Sequence, residues 1–409
     1  MSRFRFLLTL LVCAVLGAAA IGLSQSPAVG EPQRRRGASV PIDPSDECPP
    51  GTTLARPGRC QAPGIPPPNI VDYRPTSTLV TSEHLVPKAK FPVIDFHGHP
   101  QGRFDTPEAL ATLMGELDSL NVRLMVSADN MSGDRLERSL ASVSASPYAT
   151  RTSILCGINF QNVGPGWAEK AIAQLDADVA AGAVGVGEIS KGFGLNTRKA
   201  DGTRLMIDDP AIGPIWEEAG RLDIPVFIHT ADPQEFFEPI DNHNERWLEL
   251  ALFPNRRYPD GQFPRFNELM AERDRMIAAH PNTTFVIAHL SWYGNDLDRL
   301  AMLLDEHPNA FTELGAVLYD LGRQPRAARD FLVKYQDRVL FGKDAYEPTE
   351  YPYYWRVLET TDEYFDYYRD YHAFWKLYGL DLPDDVLKKL YYQNALAVAP
   401  RIPKDGFPE

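Results

Sequence analysis

The sequence predicts a (β/α)8 (TIM) barrel, on three observations. From residue 92 onward, eight short apolar, β-branched runs alternate with amphipathic helical stretches. The runs are apolar on both faces, as strands buried in a parallel sheet are. No G-x-G-x-x-G follows the first run, so a doubly wound open sheet lacks its usual support.

The runs are "PVIDFH" (92–97), "VRLMVSA" (122–128), "SILCGI" (153–158), "AVGVGEI" (183–189), "IPVFIH" (224–229), "TFVIAH" (284–289), "AFTELG" (310–315) and "RVLFGKD" (338–344). Between them lie helical patterns such as "TPEALATLMGELDSL", "GWAEKAIAQLDADVAA", "PAIGPIWEEAGRL", "FNELMAERDRMIAAH" and "LDRLAMLLDEH". One connection breaks the rhythm: Thr230 to Phe266 passes before helix resumes. A loop that long in a compact domain is usually functional or disordered. Its aromatics (Phe236, Phe237, Trp247, Phe253, Tyr258, Phe263) argue for order, either as a lid over the barrel mouth or as a packed flap.

Ahead of the barrel, Arg3 and Arg5 precede a continuous apolar stretch from Phe6 to Leu23 with Ala18-Ala19-Ala20 inside it. This is the layout of a cleaved signal peptide, residues 1–20. The alternative is an uncleaved anchor, for which the stretch is only just long enough, since about 18 apolar residues is the lower limit. The expected location is outside the cytoplasm, periplasmic or extracellular. Amino-terminal sequencing of protein from the native envelope is expected to begin near Ile21; an intact Met1 terminus in the membrane fraction would mean an anchor. Residues 21–90 are Pro-, Gly-, Ser- and Arg-rich and read as a disordered linker. Within it Cys48 and Cys60 bracket "PPGTTLARPGR" and in an oxidising compartment could close a small disulfide loop. Cys156 sits in an apolar run, as a small buried hydrophobe does. The barrel domain takes residues 91–409. A net charge of −14 disfavours nucleic acid and anionic lipid surfaces. The charge says nothing more about the substrate; a small-molecule substrate is the expected partner, and homo-oligomerisation is left open.

The polar residues at the C-terminal ends of the runs form a constellation. Run one gives His97 and His99, run four Glu188, run five His229, run six His289 and run eight Asp344. In a (β/α)8 barrel these ends converge on the face that carries catalysis. Alternation puts His97 and His99 on one side of their strand, with Asp95 a layer deeper. Any one of these histidines alone reads better as a hydrogen-bonded core or loop residue. His84, His243, His280, His307 and His372 are left in that class, and "AAHPNT" and "DEHPNA" put His280 and His307 at helix C-termini. Four histidines and two carboxylates at five strand ends are hard to explain that way. Imidazole and carboxylate are the ligand set of a catalytic zinc or similar first-row divalent metal.

D-x-H-x-H (Asp95, His97, His99), His229, His289 and F-G-x-D (Phe341 to Asp344) together resemble the amidohydrolase superfamily. Within it they resemble the amidohydrolase-related group that includes aminocarboxymuconate-semialdehyde decarboxylase-like enzymes. The resemblance spans residues 90 to 400. It implies a metal-dependent hydrolase acting on an ester, lactone or amide. The same family also offers a non-oxidative decarboxylase, and a barrel that binds metal or ligand without turnover is the reading from outside enzymes. It further implies that His97, His99, His229 and Asp344 bind a divalent metal, zinc first, one ion or two. Asp344 would be the general base and His289 would polarise the reacting carbonyl. Glu188 matches the position where two-metal relatives place a bridging carboxylate. Lys191, Trp247, Trp292, Tyr293 and Tyr346 are candidate substrate contacts, each equally readable as ordinary packing or a solvated loop residue.

Overall fold

The computed structural model describes residues 37–408, so the expected export signal lies outside the described residues. Among those described, no helix is long and apolar enough to cross a membrane. The chain divides into two compact units at Ser77/Thr78.

The first unit is ordered where a disordered linker with a possible Cys48–Cys60 loop was expected. It holds an antiparallel sheet of three short strands, β1 (Ser39–Pro41), β2 (Thr53–Arg56) and β3 (Arg59–Gln61), with β3 in the middle. Cys48 and Cys60 are joined by a disulfide, with Cα atoms 5.7 Å apart, and Cys60 is fully buried. Strands of three or four residues, mostly exposed, carry no readable alternation. A unit this small gains more from a covalent staple than from an apolar core.

The second unit is the barrel. Its strands are β4 (Val93–His99), β5 (Val122–Met131), β6 (Thr152–Cys156), β7 (Gly185–Ile189), β8 (Val226–Ile228), β9 (Phe285–Ile287) and β10 (Ala310–Glu313), each parallel to the next. The eighth run is split in two. β11 (Val339–Leu340) pairs with β10, and β12 (Asp344–Ala345) pairs with β4 through Asp344↔Gly98 and Ala345↔His99. One segment therefore carries both edges of the sheet and closes the ring. Between its two pieces, the Phe96 N–H donates to the Phe341 carbonyl at 3.0 Å, and the Lys343 N–H donates to the Asp95 carboxylate at 3.0 Å. Asp95 also accepts from the Tyr351 hydroxyl at 2.6 Å, so a buried side chain stitches the seam where ladder bonds are missing.

The helices form where the patterns put them. Pro107–Leu120 starts at the Thr106 cap with Pro in its first turn and ends at Asn121 in the left-handed region (φ 61°). Trp167–Ala181, Gly213–Arg221, Phe266–Ala279 and Leu297–Glu306 follow their strands, and His280 and His307 are the C-caps of the last two. The Thr230–Phe266 insertion is a packed body with short helical turns at Gln234–Phe237, Trp247–Leu252 and Pro254–Arg256. Phe236, Arg246, Glu249 and Leu250 are buried in it, and Arg246 pairs with Glu249.

Candidate metal centre

The strand ends bring one cluster together. His97 and His99 rise along β4, the first fully buried and the second opening toward solvent. Glu188 comes from β7, His229 from the residue after β8, Glu313 from the end of β10 and Asp344 from β12. His289 opens a turn in which four consecutive non-glycine residues lie in the left-handed region (His289 59°, Leu290 50°, Ser291 59°, Trp292 55°), and Asp344 is also left-handed at 74°. Such backbone costs on the order of 1–3 kcal/mol per residue and persists where the surroundings over-determine it, commonly at functional sites.

The first-strand imidazoles each turn one nitrogen inward and give the other to a carboxylate. His97 Nε2 lies 3.5 Å from Glu188 and 3.8 Å from Asp344, while its Nδ1 is 3.1 Å from Glu313. His99 Nε2 lies 3.3 Å from Glu188 and 3.6 Å from Asp344, while its Nδ1 is 3.0 Å from Asp129. His229 turns Nδ1 to Glu188 at 2.6 Å. His289 Nδ1 is 2.7 Å from the Gly315 carbonyl, which fixes the proton on Nδ1 and leaves Nε2 as a lone pair 4.0 Å from Glu188. Glu313 accepts from the His289 backbone N–H at 2.7 Å and also from the Gly315 N–H.

The electrostatics follow from this crowding. Burial alone would lower the pKa of His97, but Glu313 and Glu188 raise it well above the ordinary value; burial likewise opposes His99, which Asp129 and Glu188 lift to about 9. Burial would raise Glu188, but His97 and His229 hold it well below the usual carboxylate range. His289 moves the other way, down to about 4, through burial and through its neighbours His229 and His97. The carboxylates thus demand positive charge at the inward nitrogens, which a divalent cation supplies as well as protons do. The donor set fits one: His97 Nε2 is buried with no hydrogen-bond partner, and three overlapping groups hold their ligand atoms within 4.8 Å, namely His97/His99/Glu188, His97/His289/Glu313 and Glu188/His229/His289.

The neutral, Nδ1-protonated His289 is an acceptor toward the site. The carbonyl-polarising role expected from sequence would need a proton on Nε2. Asp129 and Glu313 lie outside the expected set, yet they orient His99 and His97. Glu313 had a signal, an acid inside an apolar run ("AFTELG") that is costly unless paired, whereas Asp129 comes just after its run ends at Ala128. Of the outlying candidates, Trp292 packs tilted against His289 (ring centroids 4.4 Å apart) and donates Nε1–H to the Ala231 carbonyl. Lys191 pairs with Asp232 at 2.9 Å. Tyr346 donates to Glu116 at 2.8 Å beneath the Arg103 guanidinium. Tyr293 is buried between Arg273 and Arg299, and Trp247 is half-buried at the start of its helix in the insertion. A cavity of about 590 Å³ lies at the ends of β5 to β7, lined by Asn130, Gln161, Trp167, Lys170, Ser190 and Phe193 among others. Asn130 follows Asp129 in the chain, and Ser190 is two residues beyond Glu188.

No curated protein matches the sequence. Similar solved structures include an uncharacterised TIM-barrel protein from Bordetella bronchiseptica (17% identity, TM-score 0.47, 76% of this chain and 99% of that one). A dihydroxybenzoic acid decarboxylase from a Polaromonas species with bound manganese gives 12% identity and TM-score 0.46 over 76% and 97%. A 4-oxalomesaconate hydratase from Rhodopseudomonas palustris gives 14% and 0.44 over 76% and 96%. The sequence model of the family described as Amidohydrolase matches residues 157–400, a span that takes in Glu188, His229, His289, Glu313 and Asp344 and stops short of the β4 histidines. That is more than half of the chain, which therefore belongs to the amidohydrolase family.

Proposed function

We propose that the protein is an exported, metal-dependent hydrolase that cleaves a carbonyl-type bond (ester, lactone or amide) of a small molecule. One observation carries its metal dependence: the inward nitrogens of His97, His99 and His229 and the oxygens of Glu188 and Asp344 face one another across 2.6 to 3.8 Å. In this reading His97, His99, His229 and Asp344 would hold the cation, zinc in the first instance, and Glu188 would be a further ligand for one ion or two. When bound, the cation lowers the pKa of water from about 16 toward about 7 and polarises the carbonyl. Asp344, with a third of its side chain exposed, takes the water proton and returns it to the leaving group. His289 Nε2 is the second acceptor in reach of the same region. Trp292 and Tyr346 are the aromatic contacts closest in chain to His289 and Asp344.

The test begins with metal analysis of protein purified without chelator, where one equivalent or two fixes the part of Glu188. The metal-replete protein is then screened on esters, lactones and amides and, in parallel, on aromatic carboxylates with detection of released carbon dioxide. Turnover confined to the carboxylates would make the protein a decarboxylase, with Asp344 or His289 delivering the proton to carbon. Metal without turnover on either panel would make it a binding barrel. Chelation is expected to abolish activity and leave the circular dichroism spectrum largely unchanged. The apolar core, with Phe96, Leu124, Leu155, Val186, Phe285 and Leu340 fully buried, does not depend on the cluster. Unfolding together with metal loss would show a structural ion instead.

A further inference from the structure

We infer that Asp232 is a positioning residue for His229, and that through it Tyr258 of the insertion and Lys191 set the metal affinity of the site. The inference rests on the metal-binding reading above. Two imidazoles of the cluster already show the pattern, each with an outward nitrogen on a carboxylate: His97 on Glu313 and His99 on Asp129. Such outer partners fix the tautomer and the ring plane of a metal-ligating histidine. His229 has the third arrangement in less complete form. Its Nδ1 faces Glu188, and its Nε2 is buried without a hydrogen-bond partner. Facing that nitrogen at 3.9 Å is Asp232 Oδ1. This is ion-pair range and too long for a hydrogen bond. Once Nδ1 is given to a cation, the ring proton must sit on Nε2, and about 1 Å of movement lets Asp232 accept it.

Asp232 is placed to be that acceptor. It is 4% exposed, and a buried carboxylate is costly unless its oxygens are satisfied. Its Oδ2 accepts from Lys191 Nζ at 2.9 Å and from the Tyr258 hydroxyl at 2.5 Å. Those two donors hold one oxygen and leave the other aimed at His229. The turn that carries Asp232 is itself pinned, since the Ala231 carbonyl accepts from Trp292 Nε1–H at 3.2 Å. Tyr258 belongs to the Thr230–Phe266 insertion and Lys191 to the loop after β7, so two loops are tied to one ligand through one carboxylate. Lys191 is thereby given a role other than contact with substrate.

The test uses the full-length protein loaded with cobalt(II), reading the dissociation constant by chelator competition and the d–d absorption spectrum. Asp232→Asn is expected to weaken binding about 10- to 100-fold and to shift the spectrum. Tyr258→Phe is expected to act in the same direction but less. Arg257→Ala, whose half-buried side chain donates to the Glu238 backbone carbonyl in the same insertion, is expected to do neither. Wild-type affinity and spectrum in a folded Asp232→Asn protein would overturn the inference. Should that variant fail to fold, the same result in Tyr258→Phe overturns it. Wild-type protein that binds no cobalt overturns the metal reading itself and this inference with it, which separates the two failures.

Discussion

Asp344→Asn is expected to lower kcat by about 10²- to 10⁴-fold while metal content stays substantial. Among the carboxylates of the cluster, Glu313 is fully buried and Glu188 nearly so, whereas the Asp344 side chain is one-third exposed. It is the acid that a substrate or water arriving at the barrel mouth can meet. Burial would raise its pKa, but its histidine neighbours, His97 first, outweigh that and hold the carboxyl below its usual range, so it is ionised and able to accept a proton at neutral pH. Asparagine keeps the shape and one oxygen 3.6 to 3.8 Å from the inward nitrogens of His99 and His97, so the metal shell loses charge more than geometry. It cannot take the proton. The measurements are elemental analysis and kcat on the best substrate of the screen. Near-normal kcat would pass the role of base to His289, whose Nε2 lone pair faces the same space.

The barrel was legible because its strands are apolar runs punctuated by turns, and each run holds a strand. The metal-facing residues were legible for a related reason: an imidazole or carboxylate ending such a run has few bland explanations when five runs do it. Asp129 was not, because β5 extends to Met131, past the point where its apolar run stops at Ala128. Glu313 sat inside its run and was passed over as part of the strand, although a charge there, with no exposure at all, needs a partner. The direction of Tyr293 was not legible, for a geometric reason. Four left-handed residues from His289 to Trp292 reset the direction of the chain, so strand parity says nothing about where residue 293 points. Asp232 could not be seen, because its partners Lys191, Tyr258 and His229 come from three separate segments.

His97→Ala and His99→Ala are both expected to lose metal and activity, by more than the 10- to 100-fold that an outer partner costs, and to differ in what they do to the fold. Each removes a strong neutral nitrogen donor from the one rigid strand that supplies two. They part company at the other ring nitrogen. His97 Nδ1 is 3.1 Å from Glu313, and neither side chain has any exposure. Deleting the imidazole leaves a buried carboxylate with only the backbone N–H groups of His289 and Gly315, and removing one member of a buried pair costs about 3–5 kcal/mol. His99 pairs with Asp129 at 3.0 Å at the rim, with the two side chains 19% and 10% exposed, and the Gln101 N–H remains on that carboxylate. Water can replace the lost imidazole there, so its deletion should cost far less stability. Urea unfolding of the two chelator-treated variants separates these effects from metal binding. A smaller midpoint loss for His97→Ala than for His99→Ala would mean that Glu313 is not held by His97, and the carboxylate–imidazole pairing at the bottom of the site would have to be abandoned.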